Sequence, residues 1–136
     1  WIRKFKKKIN KFYIMPNSSI GKNYKQKIND TISILKKKRA DFIFITSCEN
    51  SAWLLNIRGA DCKYSPIPHC YILINKDKKI NVFCDLKKTS ISFKRYFKEI
   101  KFFDLSLMAY IEICTNLGLP FPSLYETSFG MQIQII

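Results

Sequence analysis

Three short runs of apolar residues restrict the fold of this chain more than any other feature of its sequence. The run at residues 41–46 (DFIFIT) is apolar, β-branched and aromatic, which is typical of a strand buried on both faces of a sheet. Residues 71–76 (YILINK) and 80–85 (INVFCD) are separated by Asp77-Lys78-Lys79 and predict two strands joined as a hairpin. All three runs are far shorter than the roughly 20 apolar residues that span a membrane, so no membrane association is expected.

Helical periodicity appears before and after these runs. In residues 22–38 the apolar residues Tyr24, Ile28, Ile32 and Leu35 recur at helical spacing and predict one apolar face. The remaining predicted elements are a short helix after the N-cap Ser47, a helix at 91–98, a strand at 100–103, a helix at 104–117 and a strand at 131–136. This order of elements predicts the α/β class, with a mixed β-sheet flanked by helices.

The length and composition favour one folded domain. A chain of 136 residues can bury one substantial core, and an apolar content of 47% excludes a disordered chain. A cluster of Pro, Asn, Ser and Gly at residues 16–21 interrupts regular structure. We therefore expect residues 1–21 to form a basic linker or arm, and residues 22–136 to form a single α/β domain.

The net charge of +14 is concentrated at one end of the sequence. Residues 1–38 hold 12 basic residues and a single acid, Asp30. Such a segment could bind nucleic acid or an anionic surface, and a nucleic-acid-binding module that uses residues 1–38 is one functional hypothesis. The chain has only four Arg, however, and Arg is the residue that grips phosphate and base edges best. A compositional bias toward Lys, Ile and Asn explains the charge better, so nucleic acid is not the expected partner.

The cysteine pattern indicates reduced thiols. The five cysteines are an odd number and include no CxxC pair, which does not suit a disulfide framework. No apolar segment of a signal peptide follows the basic start. These features predict a cytoplasmic protein.

The sequence offers few residues for catalysis. His69 is the only histidine, and it shares a loop with Cys62 and Cys70, so a small cysteine- or metal-dependent enzyme is a third hypothesis. Their spacing matches no zinc pattern, and the acidic residues are too scattered for a two-metal hydrolase. Phosphate-binding glycine motifs are absent as well. We predict no catalytic and no metal-binding residues, and we expect the chain alone to be inactive.

The stretch at residues 49–70 (ENSAWLLNIRGADCKYSPIPHC) is the most distinctive part of the sequence. It places Arg58 at the end of a predicted helix, before a loop stiffened by two prolines. Loops on a rigid scaffold often carry binding groups. The candidate binding residues are Asn56, Arg58, Tyr64 and His69. The alternative for Arg58 is that it caps helix carbonyls, and Trp53 with the adjacent leucines is predicted to be core.

Residues 49–85 resemble a known family. AWLLNIRG at residues 52–59, then Asp61, a proline-bearing loop, YILI at 71–74 and VFCD at 82–85 are similar to the second, middle domain of three-domain aminopeptidase P. Aminopeptidase P, or Xaa-Pro aminopeptidase, belongs to the creatinase/prolidase group of metallopeptidases. The resemblance extends more weakly over residues 20–104, and residues 105–136 do not follow the family pattern.

The resemblance implies a creatinase/prolidase N-terminal domain-like fold, which is similar to the ribonuclease H-like architecture. It implies a non-catalytic domain that packs against a catalytic pita-bread domain, shapes the substrate cleft and supports a homodimer. Asn56, Arg58, Tyr64 and His69 are then candidates for the cleft. The family's two divalent metals, manganese as a rule, are bound in the catalytic domain, whose motifs this chain lacks, so peptide substrate is expected only through the full enzyme. We expect the chain to be an excised domain or the product of a split or degraded gene.

Overall fold

The computed structural model of this protein describes residues 9–107 and the backbone of residues 133–135. These residues form both helices and strands. The strands are β1 (Tyr13–Ile14), β2 (Phe42–Ile45), β3 (Ile57–Arg58), β4 (Cys70–Asn75), β5 (Ile80–Cys84), β6 (Ile100–Asp104) and β7 (Ile133–Ile135). The α-helices are α1 (Tyr24–Lys37), α2 (Cys48–Leu55) and α3 (Ile91–Tyr96), and 3-10 turns occupy Asn17–Ser19 and Leu86–Lys88.

The main sheet has five strands in the order β6-β5-β4-β2-β7. Its centre is antiparallel, because β4 pairs with both β2 and β5 in that sense, and its two outer pairs, β5 with β6 and β2 with β7, are parallel. The predicted mixed sheet and the predicted hairpin are thus confirmed. Every residue of β2 and β5 is buried, as is every residue of β4 except Tyr71, and this agrees with a sheet covered on both faces.

Helix α1 lies on the sheet through the predicted face. Tyr24, Ile28, Ile32 and Leu35 are all buried in the hydrophobic core. The helix begins at Tyr24 because Asn23 caps it: the Asn23 Oδ1 atom accepts from the amide of Gln26, and the Gln26 side chain accepts in return.

Helix α2 confirms one prediction and corrects another. Ser47 is the N-cap, and its hydroxyl accepts a hydrogen bond from the amide of Asn50. Leu54 and Leu55 are buried as predicted, but the prediction that Trp53 is core is wrong, since its side chain is 59% exposed. The buried face of this short helix is formed by the residues on either side of Trp53, namely Ser51, Ala52, Leu54 and Leu55, and position 53 is turned toward the surface.

The described part of the predicted basic arm is folded against the domain. Phe12 is buried in the core and its amide donates to the carbonyl of Lys88 at 2.9 Å. β1 then pairs with β3 in a second, two-stranded antiparallel sheet. The boundary proposed at residue 21 stays a prediction, and these contacts show which residues before it join the fold.

Some of the elements predicted after residue 90 fall on residues that the structure describes. The helix predicted at 91–98 is α3 and the strand predicted at 100–103 is β6. The strand predicted at 131–136 is confirmed by β7, which runs parallel to β2. Most of the helix predicted at 104–117 lies outside the described residues. In residues 9–107, no helix has the length and apolar character needed to cross a membrane.

Candidate functional site

Asn56 forms a buried junction between α1, α2 and β1. It ends α2 in the left-handed conformation, with φ of 54°, which Asn tolerates better than most residues. Its Oδ1 atom accepts a hydrogen bond from Lys27 Nζ at 2.5 Å, and its Nδ2 atom donates to the carbonyl of Lys22 at 3.0 Å. Its own carbonyl accepts from the amide of Met15. Asn56 therefore positions the chain around it, and its side chain is buried.

Lys27 is the residue that sequence reasoning missed. Only 6% of it is exposed, because it lies on the apolar face of α1, three residues after Tyr24. Its ammonium group donates to the carbonyl of Trp53 at 2.6 Å and lies 4.1 Å from the centre of the Trp53 ring, a cation–π contact. Burial, and then the nearby charge of Arg58, lower the pKa of Lys27 from its ordinary value. The sequence did carry a signal for this buried lysine, since Lys27 lies three residues after Tyr24, on the predicted apolar face of the helix.

Arg58 lies on β3, beside this lysine. Its Nη1 atom donates to the carbonyl of Ile57 at 2.8 Å and, more weakly, to that of Ala52 at 3.4 Å. This matches the alternative that Arg58 caps carbonyls at the end of α2. Both hydrogen bonds use Nη1. Within residues 9–107, Nε and Nη2 have no hydrogen-bond partner. A binding role for Arg58 stays a prediction.

The loop between β3 and β4 is held by Asp61. One carboxylate oxygen accepts from the amide of His69 at 2.6 Å, and the other accepts from the ammonium group of Lys88. The first residue of the loop, Gly59, donates its amide to the carbonyl of Pro66 at 3.1 Å. These bonds give the loop a defined shape and tie it to the 3-10 turn after β5.

The two loop candidates have different surroundings. His69 Nε2 shares a hydrogen bond of 2.9 Å with the hydroxyl of Tyr71, and the two rings meet edge to face. Tyr64 is 90% exposed, and its described contact is with the ammonium group of Lys63. The structure therefore joins Asn56 and Arg58 in one cluster with Lys27, whereas Tyr64 and His69 have contacts of their own on the loop.

Burial makes three of the four described thiols poor nucleophiles. Burial raises the pKa of Cys84 to about 12 and raises the pKa of Cys70 still further, which keeps both protonated. Burial also raises the pKa of Cys48, while Cys62 is exposed. Within residues 9–107, no three His, Cys, Asp or Glu side chains are grouped as a metal site would require, so Cys62 and His69 do not form one with Cys70.

Some lysines of the basic segment are paired or buried. Lys22 pairs with Asp30 at 2.8 Å and Lys25 approaches Glu99 at 3.9 Å. Lys27 is buried. Within residues 9–38, three of the basic residues are therefore paired or buried, and the nucleic-acid hypothesis gains no support from the described residues.

Comparison with known proteins places this geometry in a family. The profile of the creatinase/prolidase N-terminal domain matches residues 4–119. Aminopeptidase P1 of Lotus japonicus is 27% identical over 125 residues, which cover 85% of this chain and 19% of the plant protein. Xaa-Pro aminopeptidase 1 of Dictyostelium discoideum is 28% identical over 79 residues, which cover 58% of this chain and 12% of that protein. The chain thus spans less than a fifth of the length of these curated relatives.

The fold has a solved counterpart. X-prolyl aminopeptidase from Caenorhabditis elegans, described as a cytosolic enzyme with a di-nuclear active site, aligns with 93% of this chain at a TM-score of 0.71. The two sequences are 18% identical and the alignment covers 23% of the nematode chain, so this likeness shows the fold alone. Because the family profile covers most of the sequence and the architecture agrees with it, the chain belongs to the creatinase/prolidase N-terminal domain family.

Proposed function

We propose that this chain is the middle, non-catalytic domain of an Xaa-Pro aminopeptidase, where it borders the substrate cleft and supports dimerisation. The observation that carries the proposal is the family match over residues 4–119, together with relatives named Xaa-Pro aminopeptidase 1 and aminopeptidase P1. In this role the partner of the chain is the catalytic domain of the parent enzyme. A reducing, cytoplasmic setting suits the free cysteines of the described residues.

The chemistry would then belong to the partner domain. Residues 9–107 contain no group of His, Cys, Asp or Glu that could hold a metal ion, whereas the nematode structure is described as having a di-nuclear active site. The proposal therefore assigns the two divalent metals, with manganese as the expected ion, to the catalytic domain. This chain would contribute part of the surface that borders the substrate cleft, and it would help to position the catalytic domain.

The cleft-facing residues would come from the loop and from β3. Tyr64 is nearly fully exposed and His69 is fixed by Asp61 and Tyr71, so both can meet a partner or substrate without rearranging the fold. Within residues 9–107, the hydrogen bonds of Arg58 use Nη1, and Nε and Nη2 have no partner there. Asn56 is buried and would act indirectly, since it orients the backbone that leads into Arg58.

A domain replacement tests the proposal. The chain is inserted into aminopeptidase P1 of Lotus japonicus in place of the 125-residue segment that it matches, and hydrolysis of an Xaa-Pro peptide is measured with manganese. We expect the chimera to keep measurable activity, while a control chimera with an unrelated α/β domain of similar size loses it. The isolated chain should show no turnover. Manganese-dependent hydrolysis by the isolated chain, or a chimera no better than the control, would refute the proposal.

A further inference from the structure

The surface beside β3 combines exposed aromatic residues with positive charge. Tyr13 and Arg58 are directly opposite each other across the β1–β3 pair, so their side chains are neighbours on one face. Arg58 also bonds the carbonyl of Ala52, the residue before Trp53. Tyr13 and Trp53 are each more than half exposed. We name this set, with Lys27 beneath it, the Trp53–Arg58 surface.

The positive charge of this surface has no acidic partner among the described residues. The ammonium group of Lys27 is bonded to two neutral acceptors, the carbonyl of Trp53 and the side chain of Asn56. Arg58 is bonded to backbone carbonyls. Neither residue takes part in the ion pairs of residues 9–107. The acid nearest in sequence on α2, Glu49, lies one turn before Trp53, where it accepts from the hydroxyl of Ser47.

Two buried or half-buried cations side by side are costly unless a negative charge compensates them. Burial and the charge of Arg58 both disfavour the charged form of Lys27, and no carboxylate of residues 9–107 pairs with it. The Nε and Nη2 atoms of Arg58, which make no hydrogen bond within residues 9–107, suit a carboxylate, which they can bind with two parallel hydrogen bonds. Trp, Tyr and Arg are also the residue types that dominate binding energy in protein interfaces.

We infer that the Trp53–Arg58 surface is a docking site for a protein segment that presents a carboxylate beside an apolar side chain. The carboxylate would pair with the guanidinium of Arg58, with the charge of Lys27 beneath it. The apolar side chain would pack on the exposed rings of Trp53 and Tyr13. This inference does not depend on the chain being part of an aminopeptidase.

The test uses the full chain and a peptide of alternating Glu and Leu. Binding is followed by titration calorimetry and by the NMR signal of the Trp53 indole N–H, assigned with Trp53→Phe. We expect a saturable shift at Trp53, and at least tenfold weaker binding, about 1.4 kcal/mol, for Arg58→Met. The matched control is Arg95→Met, which removes the same charge from an exposed position on α3 and should bind like the parent.

Further arms make the outcome decisive. Arg58→Lys is a second variant in case Arg58→Met folds poorly. It keeps the charge but loses the paired donors, so it should bind with intermediate affinity. A Lys–Leu peptide that binds equally well would show that only apolar contact matters. Binding of a short DNA duplex that Arg58→Met abolishes would assign the surface to phosphate. Either result, or no shift at Trp53 up to about 10 mM acidic peptide, would overturn the inference.

Discussion

Asp61 holds the proline-bearing loop through both of its carboxylate oxygens, one on the amide of His69 and the other on Lys88. We predict that Asp61→Asn lowers the free energy of unfolding by about 1–3 kcal/mol, because an amide offers one acceptor where two are used. The control is Asp30→Asn, which removes the same charge from an ion pair whose side chains are more than half exposed. It should cost less than about 1 kcal/mol.

Urea unfolding of both variants, followed by fluorescence, measures the difference. Equal costs for the two substitutions would mean that the bonds of Asp61 contribute no more than a surface ion pair does. The loop candidates would then need another explanation for their fixed positions.

The buried lysine predicts a specific pH dependence of stability. The pKa of Lys27 in the folded chain is lowered from 10.5, so the unfolded chain binds more protons at pH values just below 10.5. Stability relative to Lys27→Met should therefore rise with pH in this window, by at most about 1.4 kcal/mol per pH unit. Below the lowered pKa both states are charged, and the difference should be flat.

Urea titrations of the parent chain and Lys27→Met between about pH 8 and pH 10.5 test this. The comparison of two variants cancels the titration of the other lysines. A relative stability that falls as pH rises would show that the folded chain stabilises the charged ammonium group, contrary to its surroundings.

Trp53 and Lys27 show where sequence reasoning fails at the scale of single residues. Apolarity alone favours a buried Trp and an exposed Lys, and the structure has the reverse. The reason is tertiary: the end of α2 presents the carbonyl of Trp53 and the side chain of Asn56 to α1, and the ammonium group of Lys27 donates to both. Such acceptors become visible only once the two helices are packed together.

At the scale of elements, periodic signals were predictable and short pairings were not. The apolar face of α1 and the β4–β5 hairpin follow from residues that are close in sequence, and both are confirmed. The β1–β3 sheet joins two-residue strands that are far apart in the chain. Two residues carry no alternation that a sequence pattern could reveal, so the neighbourhood of Arg58 could not be predicted in full.

Close packing at Gly59 gives a prediction for this small sheet. A Cβ atom at position 59 would lie 2.9 Å from the Cα atom of Pro68 and 3.0 Å from the ring of Phe12. Because one of these atoms is backbone, we predict that Gly59→Ala lowers the free energy of unfolding by about 1–3 kcal/mol. Gly21→Ala is the matched control, since nothing lies within 4 Å of its added atom.

The control variant should be neutral or slightly stabilising, by up to about 1 kcal/mol. Thermal unfolding monitored by circular dichroism distinguishes the two variants. If Gly59→Ala melts with the parent chain, the contact between Gly59, Pro68 and Phe12 is loose enough to admit a methyl group.

At the scale of the whole molecule, the segment before residue 22 decides how much of the chain is one domain. Its composition predicts a linker, yet Phe12 is buried against Phe93 with ring centres 6.2 Å apart, and its amide bonds the carbonyl of Lys88. Met15 bonds the carbonyl of Asn56. These contacts connect the segment to α3, to the 3-10 turn and to the candidate site. Composition could not show this, because the burial of the single residue Phe12 holds the segment on the domain, although Pro, Asn, Ser and Gly at residues 16–21 interrupt regular structure.

Two truncated chains test this view, one beginning at residue 9 and the other at residue 22. Comparing them isolates residues 9–21. We predict that the shorter chain is less stable by at least about 3 kcal/mol, because it loses the packing of Phe12 and leaves the carbonyl groups of Asn56 and Lys88 without their donors. Urea unfolding measures this difference. If the two chains unfold at the same urea concentration, residues 9–21 are a linker and the domain begins near residue 22. If the shorter chain alone is destabilised, the domain includes β1, and the Trp53–Arg58 surface depends on it.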